Sequence, residues 1–223
     1  MALLRITYGP MFSGKSTRLL QFVARHEHEF ERVLVAKWDQ DLRSGSATRI
    51  ATHDGAELSR HVGAYASLDE VAQLASLQPG RLLVAVDEAQ FFGRSLLRLW
   101  SAVERRSALR LAQRGGGKQD ALVVAGLDLD FRRQRFGSVL DLAELAQGKP
   151  GARVERLCSK CVRCGDPAPY TMRLRRGEDD SQVLVGGIES YVPVCEKHHE
   201  VAATARAASH PRSSAVCSRA DGP

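Results

Sequence analysis

The sequence contains no apolar run long enough to form a membrane-spanning helix. Such a helix needs about 18 or more consecutive apolar residues, and no segment of the 223 residues approaches that length. The segment 1–8 is too short for a secretory signal and is interrupted by Arg5, so we expect a first strand there. These absences argue against a membrane protein and against an exported one.

Cysteine is scarce and unevenly placed. Three of the five cysteines fall between Cys158 and Cys164. In a chain without an export signal, this spacing is untypical of a disulfide framework and typical of a metal site in a reducing compartment. We therefore expect a metal-binding segment and a cytoplasmic protein.

The remaining composition fits a globular protein. The 223 residues are 43% apolar, which is enough to bury a core in one large domain or in one domain with an appendage. The formal net charge of +6 favours anionic partners, which could be nucleotide phosphates, nucleic acid or lipid headgroups. Charge alone does not choose among them.

Apolar runs and helical periodicities alternate along the first two-thirds of the chain. Short apolar runs predict strands, and apolar residues at helical spacing predict helices. The predicted strands are 3–8, 32–37, 81–86 and 121–127, and the predicted helices are 15–29, 68–77 and 95–113. This alternation predicts an α/β fold with a mostly parallel sheet that is covered by helices on both faces.

The character of the sequence changes near Pro150. Cysteines and prolines become frequent, and a hairpin is predicted with strands 170–175 and 182–185. The end of the chain is polar and aperiodic, which favours a disordered tail. The predicted units are an α/β nucleotide-binding domain over 1–150, a small metal-binding domain over 151–200 and a tail over 201–223.

A glycine-rich motif lies between the first predicted strand and the first predicted helix. It matches the pattern G-x-x-x-x-G-K-[ST]. Its residues are Gly9, Pro10, Met11, Phe12, Ser13, Gly14, Lys15 and Ser16. Backbone N–H groups of such a loop point at phosphate oxygens, while the lysine bridges the β- and γ-phosphates and the hydroxyl binds Mg²⁺. The motif therefore predicts binding of ATP or GTP with magnesium.

Two adjacent acidic residues, Asp87 and Glu88, directly follow the predicted strand 81–86. This position is the carboxyl edge of the sheet, where ligands bind in open α/β folds. One carboxylate can support the metal, and the other can take a proton from an acceptor hydroxyl. A helix-capping aspartate or a solvated loop end would give the same two letters, but the upstream loop motif favours the functional interpretation.

Paired cysteine and histidine motifs predict a structural zinc site. The favoured ligands are Cys161, Cys164, Cys195 and His198. Two C-x₂-[CH] pairs supply four soft ligands for one tetrahedron and leave no open position for catalysis. Neighbouring Cys158 and His199 could substitute for members of this set, although Gly165 favours Cys164 because glycine permits a tight turn. The alternative is a group of free or buried thiols beside a surface histidine pair.

Other loops border the predicted nucleotide site. The segment 186–191 lies between the metal pairs and could form a lid or a plain surface loop. Three arginines follow the segment 126–131, and they could contact a transferred phosphate or form a basic solvated turn. These arginines are Arg132, Arg133 and Arg135. Asp41, Arg43 and the triplet 52–54 cannot be interpreted from the residues alone.

Together these segments resemble the type II thymidine kinase family, the RecA-like class of nucleoside kinases. The resemblance extends from about residue 4 to residue 198. It rests on the loop motif 9–16, the D-x-R pattern at 41–43, Thr-His-Asp at 52–54, Asp-Glu-Ala-Gln-Phe-Phe at 87–92, Gly-Leu-Asp at 126–128, Phe-Gly at 136–137, Tyr-Thr at 170–171, and Gly-Gly at 186–187 with Tyr191. Several motifs in the right order make coincidence implausible.

The resemblance implies a RecA-like P-loop domain, a small zinc-binding domain with a lasso loop, and a reaction. The γ-phosphate of ATP would pass to the 5′-hydroxyl of thymidine or deoxyuridine, with Glu88 as general base and Asp87 supporting magnesium. The implied ATP-binding residues are Gly9, Pro10, Met11, Phe12, Ser13, Gly14, Lys15, Ser16, Thr17, Asp41, Arg43, Asp87 and Gln90. The implied thymidine-binding residues are Met11, Phe91, Leu127, Phe131, Phe136, Thr171, Gly186, Gly187 and Tyr191.

The same resemblance implies partners and assembly. Thymidine and ATP would be the substrates, Mg²⁺ would accompany ATP, and dTTP would inhibit a cytoplasmic homotetramer that serves nucleotide salvage for DNA synthesis. Neither a membrane nor nucleic acid is an expected partner. The chain departs from the family in a longer segment 93–120 and in His198, where many members have cysteine.

Two other classes of protein would share some of these features. A RecA-like, zinc-containing ATPase acting on nucleic acid is compatible with the basic composition. However, the arginines are scattered, and the zinc pairs enclose a loop instead of a recognition helix. A nucleotide sensor without catalysis would leave Glu88 without a function. The sequence therefore favours the nucleoside kinase.

Overall fold

The computed structural model describes residues 1–41, 49–51, 55, 57–174, 182, 186–187 and 189–199. Three sets of predicted residues lie outside this part of the chain, namely Arg43, the triplet 52–54 and the tail 201–223. Of the predicted strand 182–185, only Gln182 is described. No helix of the described residues is long and apolar enough to cross a membrane.

A parallel sheet organises the first 156 residues. Its region of the chain contains the strands β1 (Leu3–Tyr8), β2 (Arg32–Trp38), β3 (Ile50–Ala51), β4 (Glu57–Leu58), β5 (Val62–Tyr65), β6 (Leu82–Val86), β7 (Ala121–Gly126) and β8 (Ala152–Arg156). Among the described residues, six of these strands form the sheet in the order β5-β2-β6-β7-β1-β8, with every neighbouring pair parallel. The short strands β3 and β4 pair separately and antiparallel. The predicted α/β fold with a parallel sheet is confirmed.

Helices cover both faces of this sheet. They are α1 (Lys15–His26), α2 (Leu68–Leu77), α3 (Ser95–Gln113) and α4 (Val139–Ala146). The apolar side of α1 packs on one face, and α2, α3 and α4 pack on the other. Successive strand residues such as Leu83 and Val84 join opposite clusters, because side chains alternate across a strand. All residues of β6 and β7 are buried, as expected for central strands of a parallel sheet.

The helices α2 and α3 form where the sequence predicts them. Ser67 precedes α2, and its Oγ accepts a hydrogen bond from the Asp69 backbone N at 3.2 Å, which satisfies one of the N–H groups at the helix end. The helix α3 spans the whole predicted segment. The predicted helix 15–29 is shorter in the structure, since α1 ends at His26 and a 3₁₀ turn covers Glu27–Glu29.

Strand β8 follows the predicted domain boundary at residue 150 but belongs to the main sheet, where it pairs with β1. Its sequence, Ala-Arg-Val-Glu-Arg, is mostly polar because the strand lies at the sheet edge and is partly exposed. A search for apolar runs does not detect such a strand. The division into domains stays a prediction, and the main sheet continues to Arg156.

A smaller antiparallel part follows β8. It contains β9 (Ser159–Lys160), β10 (Pro167–Ala168), β11 (Tyr170–Arg173) and β12 (Tyr191–Val194). Strand β9 pairs with β10, and β11 pairs with β12. The sequence predicts a hairpin between the segment of β11 and 182–185, of which 183–185 lie outside the described residues, and the described partner of β11 is β12. This pairing places Met172 and Val192 against an apolar cluster that includes Cys161 and Cys195.

Candidate active site and metal cluster

A cavity of about 960 Å³ opens where the carboxyl ends of the main strands meet. It is bordered by the glycine-rich loop after β1, the acid pair after β6 and residues that follow β7. The smaller antiparallel part contributes Thr171 and Tyr191. Parallel strands all end at one edge of a sheet, so segments distant in sequence converge on a single pocket.

The loop between β1 and α1 presents its backbone to this cavity. Gly14 has a φ of 83°, which favours glycine, and a Cβ built there meets nothing within 4 Å. Helix α1 begins at the next residue, Lys15, so its amino-terminal N–H groups lie at the cavity wall. The Lys15 Nζ donates a hydrogen bond to the Pro10 carbonyl at 2.5 Å. The arrangement can bind an anion through backbone N–H groups and one cation.

The loop hydroxyl and the first acid of the pair meet inside the cavity. Ser16 Oγ donates a hydrogen bond to Asp87 Oδ1 at 2.9 Å, and Asp87 is only 4% exposed. A hydroxyl and a carboxylate are the hard oxygen ligands that Mg²⁺ prefers. The two side chains therefore provide a pair of oxygen ligands that fits a magnesium ion beside bound phosphate.

Glu88 has an unusual backbone and a fixed carboxylate. Its φ of 50° and ψ of 43° are left-handed, a conformation that costs energy in non-glycine residues and clusters at functional sites. Gln90 Nε2 donates to Glu88 Oε2 at 2.6 Å, and Gln90 Oε1 accepts from the Leu127 backbone N at 2.9 Å. Gln90 therefore connects the segments after β6 and β7 and orients the Glu88 carboxylate.

Phe91 and Phe136 line the cavity, and together with Trp38 they form what we call the aromatic wall. The Phe91 ring stacks on the Trp38 ring with 4.1 Å between centroids, and it meets the Phe136 ring edge-on at 5.5 Å. Such offset and edge-on pairs hold rings in defined orientations. The wall can stack on a flat aromatic ligand such as a nucleobase.

Most residues predicted for ligand binding line this one cavity. The lining includes Met11, Phe12, Ser13, Gly14, Lys15, Ser16, Thr17, Asp41, Asp87, Glu88, Gln90, Phe91, Leu127, Phe131, Phe136, Thr171, Gly186, Gly187 and Tyr191. Gly9 and Pro10 are not among the lining residues, and an added Cβ at Gly9 would be 2.3 Å from the Leu157 carbonyl oxygen. Arg43 is outside the described residues. The individual roles of these residues stay predictions.

Lys37 is a cavity residue that the sequence analysis missed. It ends the apolar part of β2 and is 2% exposed, and its Nζ donates to the Arg49 carbonyl at 2.9 Å. Asp41 Oδ2 lies 3.7 Å from the same Nζ. A buried ammonium requires such partners. A lysine near the end of a buried strand, four residues before an aspartate, was the available signal.

The arginines after the segment 126–131 have partners of their own. Arg135 pairs with Asp141 and Glu144 of α4, at 2.8 and 2.9 Å. The Arg133 guanidinium lies over the Tyr170 ring, 4.0 Å from its centroid. The alternative of a basic turn therefore describes these two arginines better than a phosphate contact does.

The four predicted zinc ligands come together in one cluster. Ligand atoms of Cys161, Cys164, Cys195 and His198 all lie within 4.8 Å of one another. His198 Nδ1 is 3.5 Å from Cys161 Sγ and 3.3 Å from Cys195 Sγ. Of the two open substitutes, Cys158 is outside this cluster, and the buried His199 directs Nε2 to the Thr171 carbonyl at 3.3 Å. The cluster could hold a metal ion.

Hydrogen bonds around Cys161 favour its ionised form. Burial opposes ionisation of Cys161, but hydrogen bonds from the backbone around Cys195, Arg163 and Cys164 lower its pKa to about 6. The thiolate is the form of cysteine that binds metal ions. At the neighbouring His199, burial lowers the pKa of the imidazole, and the Arg133 guanidinium lowers it further. The neutral imidazole is therefore favoured at this position.

A parallel sheet, a glycine-rich loop that leads into a helix, and acidic residues at the end of a neighbouring strand define the P-loop class of α/β proteins. A profile of the family described as thymidine kinase matches residues 2–199. The chain belongs to the thymidine kinase family.

Individual relatives agree with this family. Thymidine kinase of Deinococcus deserti is 38% identical over 213 residues, which cover 89% of this chain and 94% of that protein. Thymidine kinase of Deinococcus radiodurans is 38% identical over 84% of this chain and 85% of its own. Thymidine kinase a of Arabidopsis thaliana is 33% identical over a region that covers 87% of this chain and 73% of that protein. These similarities favour the kinase over the nucleic-acid ATPase.

Proposed function

We propose that this protein transfers the γ-phosphate of ATP to the 5′-hydroxyl of thymidine, and also of deoxyuridine. The observation that carries the proposal is the single cavity that joins the glycine-rich loop, Glu88 and an aromatic wall. A phosphate donor and a nucleoside acceptor must lie side by side for direct transfer. The choice of thymidine as the acceptor rests on the relatives, which are named thymidine kinases.

The triphosphate would lie along the loop and the amino terminus of α1. Backbone N–H groups there would bind phosphate oxygens, and Lys15 would move from the Pro10 carbonyl to the β- and γ-phosphates. Asp41 would be kept beside the phosphates by the buried Lys37, 3.7 Å away. The proposed ATP-binding residues are Gly9, Pro10, Met11, Phe12, Ser13, Gly14, Lys15, Ser16, Thr17, Asp41, Arg43, Asp87 and Gln90.

Ser16 and Asp87 would hold the magnesium ion that accompanies ATP, because their oxygens already meet at 2.9 Å. When bound, the ion supplies positive charge that stabilises the transferring phosphate. The protein's part is to keep both oxygens at the cavity edge where the loop ends. Burial of Asp87 excludes water from that side.

Glu88 would act as the general base. Its carboxylate would accept the proton of the nucleoside 5′-hydroxyl while the oxygen attacks the γ-phosphorus. Gln90 Nε2 donates to one carboxylate oxygen at 2.6 Å, which fixes the orientation of the carboxylate at the cavity wall. The base would lie against the aromatic wall and the segment before β12, with Met11, Phe91, Leu127, Phe131, Phe136, Thr171, Gly186, Gly187 and Tyr191 as its contacts.

The metal cluster would hold zinc in a structural role, because three thiols and an imidazole form the donor set that zinc prefers. The ion would supply a cross-link between the segments before β10 and after β12. The family resemblance adds a cytoplasmic homotetramer that dTTP inhibits and that serves nucleotide salvage. These features belong to the same proposal.

A phosphate-transfer assay with γ-labelled ATP over a panel of nucleosides tests the function. We expect labelled dTMP from thymidine and no labelled product from purine nucleosides. Single-stranded DNA should not stimulate ATP hydrolysis. Salt-sensitive DNA binding with DNA-stimulated hydrolysis and no dTMP would support the nucleic-acid ATPase instead.

A further inference from the structure

The glycine-rich loop is attached to the antiparallel part of the molecule by a row of contacts. Ser159 Oγ donates a hydrogen bond to the Phe12 carbonyl at 3.1 Å. The Met11 backbone N donates to Thr171 Oγ1 at 2.9 Å. Behind the loop, the Leu157 backbone N donates to the Tyr8 carbonyl at 2.7 Å. Residues more than 140 positions apart in sequence thus meet at the loop.

These contacts act on a loop residue with an unfavourable backbone. Phe12 has a φ of 61°, in the left-handed region that side chains with a Cβ rarely adopt. Such a conformation persists only where the surroundings hold it. The carbonyl of Phe12 itself accepts the hydrogen bond from Ser159. The backbone N–H of the preceding residue, Met11, donates the hydrogen bond to Thr171. The two bonds therefore restrain the peptide group that follows Phe12 and the peptide group between Pro10 and Met11, on either side of the strained position.

The same contacts lead directly to the metal cluster. Ser159 lies on β9, two residues before the cluster residue Cys161. Thr171 lies opposite Pro193 in the ladder of β11 and β12, and β12 ends immediately before Cys195. The Val162 backbone N also donates to the Pro193 carbonyl at 3.2 Å. A metal ion in the cluster would thus fix the two strands that restrain the loop.

We propose that Ser159 and Thr171 are positioning residues that hold the glycine-rich loop in its nucleotide-binding shape, so that the metal cluster supports ATP affinity. The proposal rests on the proposed function only in assigning ATP to the loop. Thr171 also lines the cavity beside the aromatic wall, so a change there would disturb the nucleoside as well. Ser159 does not line the cavity among the described residues, and it isolates the effect on the loop.

The test measures binding of a non-hydrolysable ATP analogue with Mg²⁺ and no nucleoside, by titration calorimetry. We expect Ser159→Ala to raise the Kd by about five-fold, the typical net effect of one hydrogen bond. Thymidine affinity should fall by less than the affinity for the analogue, because Met11 is the one loop residue proposed to contact the nucleoside. Ser159→Thr retains the hydroxyl and should restore the affinity for the analogue. Ser101→Ala removes a similar serine-to-carbonyl bond, to Leu97 on α3, and should bind like the unaltered protein.

Several outcomes would overturn the proposal. Unchanged analogue affinity in Ser159→Ala would do so, as would equal weakening in Ser159→Ala and Ser159→Thr, which would indicate packing instead of the hydroxyl. A parallel loss of affinity for both ligands would indicate general loosening. Unaltered protein that binds no ATP analogue would overturn this proposal and the proposed function together.

Metal removal tests the second half of the proposal. A zinc-selective chelator, used with Mg²⁺ in excess, should raise the Kd of the ATP analogue, and added zinc should restore it. Unchanged affinity in metal-free folded protein would overturn the connection between the cluster and the loop. If thymidine is not phosphorylated but these binding changes occur, the proposed function fails and this inference stands.

Discussion

Glu88 owes its position to two nearby residues, Gln90 and Gly137. Gln90 binds its carboxylate and the Leu127 backbone N. Gly137 lies so close that a Cβ there would be 2.1 Å from the Gln90 carbonyl. A bulky residue at position 137 would therefore displace the group that orients the carboxylate. The adjacency of Asp87 and Glu88 was visible in sequence, but this support was not.

Replacement of the Glu88 carboxylate by an amide tests its role as base. Glu88→Gln keeps an oxygen for Gln90 but removes the proton acceptor, so kcat should fall by about 10²- to 10⁴-fold. Thymidine and ATP should still bind. Steady-state kinetics and binding titrations measure the two effects separately.

Glu70→Gln, on the exposed first turn of α2, is the matched control and should leave kcat unchanged. Undiminished phosphorylation by Glu88→Gln would contradict the assigned base. A nucleotide sensor without catalysis would instead bind ATP and phosphorylate no nucleoside, even in the unaltered protein.

Lys15 supplies the cationic side chain of the glycine-rich loop. Lys15→Ala removes charge compensation from the transferring phosphate, and kcat should fall by about 10²- to 10³-fold. The transfer assay measures this loss. Lys118→Ala, at a largely exposed lysine near Glu29, should retain full activity. Transfer at the normal rate by Lys15→Ala would argue against ATP binding at this loop.

Asp120 connects elements on one side of the sheet. Its fully buried carboxylate lies beside Arg106 and Arg110 of α3. It also accepts a hydrogen bond from the Leu82 backbone N, at the start of β6, at 3.0 Å. One side chain therefore joins the start of β7, the start of β6 and α3. Removal of this carboxylate would leave the buried guanidinium groups of Arg106 and Arg110 without a compensating negative charge.

Asp120→Ala should strongly destabilise the fold without direct contact with the cavity. We expect a loss of about 3–5 kcal/mol in the free energy of unfolding, equivalent to a Tm lower by about 10 °C. Thermal unfolding measures the change. Asp141→Ala removes an exposed pair with Arg135 and should cost about 1 kcal/mol or less. Equal effects of the two changes would contradict this account.

Strands and helices with a strong apolar pattern were predicted from the sequence, and those with a weak or short pattern were not. The strand β6 and the helix α3 have strong apolar patterns and were predicted nearly to the residue. The edge strand β8 is mostly polar, and α4 is only eight residues long. Neither gave a signal long enough for a prediction. The pairing of β11 with β12 was not predicted, because β12 lies beyond the segment 182–185 that the hairpin pattern favoured, and residues 183–185 are outside the described part of the chain.

The two parts of the molecule depend on each other at the cavity. The main sheet provides the glycine-rich loop and the acids, and the antiparallel part provides Thr171 and Tyr191. Since the cluster residue Cys195 directly follows β12, loss of the metal should release the cavity wall on that side.

Cys164→Ser should remove one metal ligand and raise the thymidine KM, because the segment before β12 loses its anchor. Metal analysis should find one zinc per chain in the unaltered protein and much less in the variant. Added zinc should restore chelated unaltered protein but not Cys164→Ser. Folded, active protein that contains no zinc would contradict the structural zinc site.

Local patterns were sufficient for the chemistry carried by neighbouring residues. The loop motif, the acid pair and the cysteine–histidine pairs each lie within a few positions, and their spacing alone predicted their types of ligand. The tertiary structure decided which distant groups support them: Lys37 beside Asp41, Gln90 between Glu88 and Leu127, and Ser159 on Phe12. Such contacts depend on how strands converge at one edge of the sheet, and a one-dimensional spacing does not contain that information.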